Sequence, residues 1–276
     1  MGDWLRHRVP ERVDVAQMLA NDRFVYGDGL AVADTHPYAP HTFVWFHRDL
    51  ADEVEVPGDI HIVHRDDRLV VVDKPAFLSS IPRGRHVRES VVVRLRHELG
   101  LPELSPLHRL DRVTSGLLML ATERRWRGGY QTLFQDNEVR KTYRALAPLH
   151  PDLDLPVTVR NHLVKRRGAW QAEVVPDAPV NAETLVELES RAGDLGVYRL
   201  TPRTGRTHQL RVHLDALGIP IVDDPLYPTV QDIALDDFGR PLQLLADELA
   251  FTDPFDGMER RFASVRELPL TGPGPA

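Results

Sequence analysis

Pro106-Leu107-His108-Arg109-Leu110-Asp111-Arg112-Val113-Thr114-Ser115-Gly116-Leu117-Leu118-Met119-Leu120 runs a polar cluster directly into an apolar segment. The apolar part has the length and composition of a buried strand, and a buried strand with a polar mouth holds reactive groups rigidly. Asp111 is the only carboxylate of the cluster and stands between Arg109 and Arg112. Nearby positive charge favours an ionised carboxylate, and an ionised, oriented aspartate serves as a nucleophile or a base. Taken alone, the same residues read more simply as a structural Asp–Arg pair at a strand entrance.

The chain around this stretch has 276 residues, enough for one large domain or a domain with a smaller module. No run of apolar residues is long enough to span a bilayer, so no membrane segment is expected. Cysteine is absent, which excludes a disulfide scaffold and thiolate chemistry. Met1–Pro10 lacks the apolar core of a secretory signal, and a cytoplasmic location is expected. The net charge of -7 speaks against a nucleic-acid partner in bulk. Its distribution speaks otherwise. Residues 1–60 carry five Arg against eleven Asp/Glu, whereas residues 65–144 carry sixteen Lys/Arg against ten Asp/Glu. A basic centre between acidic ends is a usable binding footprint when its charges face one way.

Residues 1–60 read as a small acidic αβ module and linker, and 61–276 as the main domain. The module has helical spacing over Val13–Ala20, a turn at Gly27-Asp28-Gly29 and a strand at Thr42–Phe46; Asp49–Asp59 is the expected linker. In the main domain, strands are expected at Ile60–Val63 and Leu69–Val72. A loop at Ser79–His86 follows, with Arg83, Arg85 and Arg88 as either phosphate contacts or a solvated face. A helix over Glu89–Leu99 stops at Gly100. Arg124–Phe134 is a second helix, whose stripe of Trp126, Tyr130, Leu133 and Phe134 reads as core. Lys141–Ala147 alternates as a strand and puts Lys141, Tyr143 and Ala145 on one face. His162–Arg167 is a basic patch of low specificity.

Thr201–Val212 is the second polar concentration. A helix is expected from about Thr207 to Leu217, and its first amides together with Arg206 suit a phosphate. His208 and His213 stand near Asp223 and Asp224 in sequence without the spacing of a ligand set, so no metal is expected. Leu242–Leu249 reads as a short helix or helix-like turn leading into a terminal strand, and Leu268–Ala276 as a fraying end.

Three stretches in order resemble the RluA-type RNA pseudouridine synthases. They are His108-Arg109-Leu110-Asp111…Thr114-Ser115-Gly116, Lys141-Thr142-Tyr143-Arg144-Ala145, and Thr204-Gly205-Arg206-Thr207-His208-Gln209-Leu210-Arg211-Val212-His213 with Gly218-Ile219-Pro220-Ile221. Val70-Val71-Val72-Asp73-Lys74-Pro75 resembles the family's opening strand. The resemblance spans roughly residues 61–265 and implies an α+β pseudouridine synthase catalytic fold, with a mixed, mainly antiparallel sheet flanked by helices. By position it implies that Asp111 is the nucleophile and that Arg211 is its basic partner. Tyr143 is then the ring against the target base, with a hydroxyl that matters to late proton transfer. Arg109 takes the space of the flipped uridine, and Leu210 walls the base pocket. His108, Arg112, Thr114, Arg206 and His208 join them on the substrate side.

The implied reaction is isomerisation of uridine in RNA to pseudouridine, with no cofactor and no metal. The implied partner is structured RNA, ribosomal RNA first and transfer RNA as the alternative, bound by a monomeric catalytic unit. A catalytically silent RNA-binding protein is the competing class. A glycosidase needs a second positioned carboxylate, and none stands out. Two positions depart from the family: Asp223-Asp224-Pro225-Leu226-Tyr227 has Asp where Gly-Asp is common, and Leu244-Leu245-Ala246 replaces Leu-His-Ala.

Overall fold

Leu69–Lys74 and Ser115–Ala121 are buried at every position, so each strand must be covered on both faces. The computed structural model describes the whole chain except residues 12, 48–52, 85, 235 and 273–276, and shows how that cover is arranged. Arg85, the first part of the acidic stretch and the end of the fraying terminus therefore lie outside the described residues.

Residues 1–52 form one compact unit and residues 53–276 another. The small unit contains α1 (Gly2–Arg8), α2 (Val15–Ala20), β1 (Phe24–Tyr26) and β2 (Val44–Phe46). Its core is Met1, Leu5, Val15, Leu19, Phe24 and Val32. The helix α1 was not expected. Residues 53–60 are not a free linker: Val56 is buried in the larger unit, and the Glu53 carboxylate accepts from the amides of Val87, Arg88 and Glu89 at 2.9–3.0 Å.

The larger unit runs β3 (His61–Arg65), β4 (Leu69–Lys74), α3 (Val91–Leu99), β5 (Ser105–Pro106), β6 (Ser115–Ala121) and α4 (Arg124–Gln135). It continues through β7 (Arg140–Pro148), β8 (Val157–Asn161), β9 (Leu163–Val164), β10 (Glu173–Val174), β11 (Ala182–Ala192) and β12 (Leu195–Pro202). It ends with α5 (Gln209–Ala216), β13 (Leu244–Thr252) and β14 (Glu259–Ala263). The main sheet has the order β3-β4-β6-β13-β7-β12-β11-β8, with β5 added on β6 and β14 on β13. All its ladders are antiparallel except β13 on β6. This is the mixed, mainly antiparallel sheet flanked by helices that the sequence predicts.

Alternation sends the buried strands' side chains to two covers. Val70, Val72, Leu118 and Leu120 pack with Val91, Val92 and Leu95 of α3. Leu69, Val71, Leu117 and Met119 pack on the other face with Tyr130 and Leu133 of α4, so the aromatic stripe of α4 does serve the core. Farther along the sheet, Ala145, Val186, Tyr198 and Leu200 pack with Leu210 and Leu214 of α5.

The structure corrects one strand. Leu242–Leu249 is no helix; from Leu244 it is strand β13, between β6 and β7. Leu and Ala favour helices in isolation, but a position flanked by two strands supplies ladder partners that override the preference. The strand β8 and the β9–β10 hairpin were also unforeseen, because V-T-V-R-N is short and the basic residues beyond it hide the pattern.

Candidate active site

Loop 107–114 is held from its backbone. Lys74 is wholly buried at the end of β4, and its Nζ donates to the carbonyls of Pro75, Leu78 and Arg112 at 2.9, 2.8 and 3.1 Å. Burial pushes the Lys74 amine down to about 7, with the Asp111 carboxylate acting in opposition. The Ser80 hydroxyl donates to the Leu110 carbonyl at 2.9 Å and accepts from the Leu110 amide at 3.1 Å. The Thr114 amide donates to the Asp111 carbonyl at 3.1 Å, closing a turn over Arg112 and Val113. Gly116 then carries the chain into β6 at φ 107°, where a Cβ would stand 2.3 Å from the Ala246 carbonyl oxygen. Only glycine tolerates both the angle and the approach.

Arg211 meets this loop from α5, a hundred residues away in sequence. Its side chain is almost wholly buried, and its Nη1 donates to Asp111 Oδ2 at 3.3 Å. The other edge of the guanidinium is gripped by Asp224, with Nε to Oδ2 at 2.8 Å and Nη2 to Oδ1 at 2.5 Å. Its central carbon lies over the ring of Tyr227, 5.3 Å from the centroid. Burial opposes the Arg211 charge, but hydrogen bonding to Asp224 prevails and its pKa is raised. A charge that stays fixed in place through the reaction suits electrostatic stabilisation.

Tyr143 lies on β7 in the same apolar cluster as Leu210 of α5 and Val113 of the loop. Burial pushes its phenol up to about 12, and the Asp111 carboxylate adds to the shift. The hydroxyl therefore stays protonated at neutral pH, beside a carboxylate and against an apolar wall. Lys141, two residues earlier on the same face, is half-buried and has no hydrogen-bond or ion-pair partner among the described residues. Its Nζ lies 3.8 Å from where a Cβ on Gly205 would stand, so Gly205 leaves it room.

The remaining expected residues divide. Arg109 is exposed and has no ion pair among the described residues, so its guanidinium is available at the mouth. His208 sits at φ 59° just before α5. Its Nε2 is 3.8 Å from Asp111 Oδ2, and its Nδ1 is 3.0 Å from the Tyr227 hydroxyl. Burial pushes this imidazole down to about 4. His108 anchors the loop instead of facing outward: its Nε2 accepts from the Met119 amide at 3.1 Å and its ring stacks on Phe134. Burial, with Lys141 adding to it, pushes its pKa down to about 3. Arg112 turns to Phe77, over its ring at 5.8 Å and toward its carbonyl at 3.4 Å. Thr114 is buried in the turn.

Arg206 is exposed, with Nε on the Asn181 carbonyl at 3.1 Å. Its amide donates to Gln209 Oε1 at 3.0 Å, just before the helix start expected to suit a phosphate. The Gln209 amide group in turn donates to the Glu183 carbonyl and Thr184 Oγ1. The helix begins two residues later than expected, and the turn before it is closed from within. Among the described residues no group of three His, Cys, Asp or Glu side chains gathers as metal ligands do.

Sequence reasoning missed Lys74, Asp224 and Tyr227 as parts of this site. The signal for Asp224 was present in its spacing to Tyr227: Asp224 Oδ1 also accepts the amides of Leu226 and Tyr227 at 2.8 and 3.1 Å. Its neighbour Asp223, the departure from Gly, occupies φ 57°, a left-handed angle that Gly adopts freely and Asp tolerates. The other departure, Leu245, is buried opposite Ser115 in the parallel β13–β6 ladder.

A carboxylate, a buried guanidinium and a protonated phenol therefore meet against an apolar wall, on strands and a helix ordered as above. The sequence profile of the RNA pseudouridylate synthase family matches residues 68–216, which contain all of these groups. The chain belongs to that family. It is 34% identical over 197 residues to the dual-specificity RNA pseudouridine synthase RluA of Pasteurella multocida, covering 71% of this chain and 88% of that one. A mitochondrial tRNA pseudouridine(32) synthase of Saccharomyces cerevisiae is 33% identical over 61% of this chain and 37% of its own length. The chain spans between about a third and under half of the length of several such larger curated relatives. Among solved structures, human RNA pseudouridylate synthase domain containing 4 aligns with a TM-score of 0.57 at 25% identity, over 74% of this chain and 87% of that one.

The yeast relative overturns the cytoplasmic expectation, since a mitochondrial protein shares this catalytic sequence. Residues that build a core and a site carry no address, and cysteine content does not distinguish these two compartments. Among the described residues no helix is long and apolar enough to cross a membrane.

Proposed function

We propose that this protein isomerises uridine in RNA to pseudouridine, acting as a monomeric catalytic unit on ribosomal RNA, with Asp111 as its nucleophile. The observation that carries the reading is the one-third exposed Asp111 carboxylate held at 3.3 Å by a guanidinium that is itself buried and fixed by Asp224. In the reaction the N1–C1′ bond breaks and a C5–C1′ bond forms, while C5 loses a proton and N1 gains one. Nothing is oxidised or transferred from outside. Asp111 acts either by adding to C1′ as uracil leaves, or by assisting removal of the C2′ proton to give a glycal. Tyr143 and Leu210 hold the detached uracil, and the Tyr143 hydroxyl serves the late proton transfer. Arg109 enters the space the uridine leaves. Extruding the base costs a few kcal/mol, less from a loop than from a helix, and phosphate contacts around the mouth recover part of it.

A transfer RNA substrate is the second reading, favoured by the yeast relative's name. Mapping pseudouridine with a selective chemical label, in cellular RNA with and without the gene, separates the two. Loss of specific ribosomal sites supports the first reading, and loss confined to transfer RNA the second. Purified protein that binds RNA but converts no uridine in any of it supports a silent RNA-binding protein instead. Gel filtration at working concentration checks the monomer.

A further inference from the structure

The basic patch of 162–167 folds into something definite. Leu163 and Val164 of β9 pair with Val174 and Glu173 of β10, and the tip between them is Lys165-Arg166-Arg167-Gly168-Ala169-Trp170. The Ala169 amide donates to the Arg166 carbonyl at 3.2 Å, and Lys165 Nζ donates to the Ala169 carbonyl. Arg166 pairs across the hairpin with Glu173. Arg167 is exposed, with no hydrogen-bond or ion-pair partner among the described residues. Trp170 is 74% exposed, and its ring packs on no other ring among the described residues. A large ring left in water adds little burial to the fold, and its face stays open to a ligand.

The root of the hairpin is as rigid as its tip is open. Leu163 and Ala172 are buried in a cluster with Ala182, Val212 and Tyr227. The Tyr227 hydroxyl accepts from the Ala172 amide at 2.6 Å and donates to the Ala172 carbonyl at 3.1 Å. Gln171 Nε2 donates to the carbonyls of Leu226 and Pro228. The same Tyr227 hydroxyl meets His208, whose other nitrogen faces Asp111, and the same turn carries the Asp224 that clamps Arg211. Lys165 is near enough to lower the pKa of His208, after burial and Arg211. One turn therefore fixes both the catalytic charge and the position of a basic, aromatic tip.

We propose that the β9–β10 hairpin is an RNA grip, in which Trp170 stacks on an unpaired base near the target uridine and Lys165, Arg166 and Arg167 take the neighbouring phosphates. This rests on the proposed function above, because the grip is placed to serve Asp111. An exposed ring accepts any base, since every base has a π-face, and clustered cations accept the backbone on either side. Specificity for single-stranded over paired RNA follows, because a stacked duplex offers no free face.

The test uses the full chain, in wild-type, D111N, Trp170→Ala, Trp170→Phe and Arg167→Glu forms. The probe is a synthetic RNA hairpin with a uridine-rich loop, compared with the same sequence fully paired. Trp170→Ala is expected to weaken binding of the looped probe by roughly 5- to 100-fold, Trp170→Phe to restore much of it, and the paired probe to respond little. Arg167→Glu is expected to reduce the slope of log affinity against log salt by about one. In turnover the loss appears in KM rather than kcat. Unchanged melting of Trp170→Ala excludes misfolding.

If wild type converts uridine while Trp170→Ala and Arg167→Glu keep its RNA affinity, KM and salt slope, the grip is overturned and the enzyme reading stands; the tip then faces a protein or nothing. If the variants lose affinity, including in a D111N background, while wild type converts no uridine, the grip stands and the enzyme reading falls.

Discussion

Loop 108–114 and turn 223–228 each bring one aspartate to Arg211, under opposite conditions. Asp224 is wholly buried, and its two oxygens take both near donors of the guanidinium as well as two backbone amides. Asp111 is one-third exposed, with one longer hydrogen bond at 3.3 Å and His208 Nε2 at 3.8 Å. The turn is held through its side chain, whereas the loop is held through its backbone, by Lys74, Ser80 and the Thr114–Asp111 turn. A carboxylate whose lone pairs are all engaged is a strut; one whose backbone is fixed but whose oxygens stay open is a reagent.

If that contrast is right, Asp111→Asn removes chemistry and spares the fold. Turnover of RNA should fall by on the order of 10³-fold or more, with unfolding free energy within about 1 kcal/mol of wild type. A normal single-turnover rate would sink the nucleophile assignment. Asp224→Asn should do the reverse in its first effect, because it leaves a buried guanidinium short of a counter-charge. A loss of about 3–5 kcal/mol in denaturant unfolding is expected, with activity falling as a consequence. If Asp224→Asn proved as stable as Asp111→Asn, the distinction between strut and reagent would fail.

The backbone side of the contrast is tested at Gly116, where the loop enters β6. Gly116→Ala meets both the φ of 107° and the Ala246 carbonyl, and about 1–3 kcal/mol of destabilisation is expected, read by thermal or chemical melting. Free tolerance of alanine would mean that the parallel β13–β6 ladder is looser than its register implies.

The smallest effect concerns acid. Burial pushes His208 and His213 down to about 4, below the usual histidine value of about 6.5. Between those values the unfolded chain holds protons that the folded one refuses, so stability rises with pH there and is lost on acidification from about 6.5 toward 4. His213 is fully buried, with Nε2 on Asn161 Oδ1 at 3.0 Å and Nδ1 without a partner among the described residues. His213→Gln should remove about 1 kcal/mol of that loss by one pH unit below 6.5. An unchanged acid limb would mean that His213 is already protonated in the native state.

Much of the sheet was legible because its strands are either wholly apolar, as in Leu117–Ala121, or alternate in burial, as in Gly196–Leu200. Helix α3 was legible for its stop at Gly100, which takes the left-handed φ of 65°. Leu242–Leu249 was not, since leucines and alanines suit a helix until β6 and β7 stand on either side. Of the site, Asp111, Tyr143 and Arg211 carry types that chemistry demands, and motif order singled them out. His108 looked alike on paper yet turns inward, because its ring finds Phe134 and the Met119 amide.

The linear chain by itself determined which groups are present: a carboxylate among arginines, a tyrosine on an alternating strand, an arginine on a short helix, and the glycine that lets one strand approach another. Those are matters of residue type and local period. Only the tertiary structure decided which aspartate is enclosed and which stays open, since Asp111 and Asp224 differ not in chemistry but in how many donors surround them. It also turned a basic patch of no evident meaning into a rooted hairpin with an open tryptophan. Burial and partnership are properties of a fold, and they arise from residues far apart in sequence.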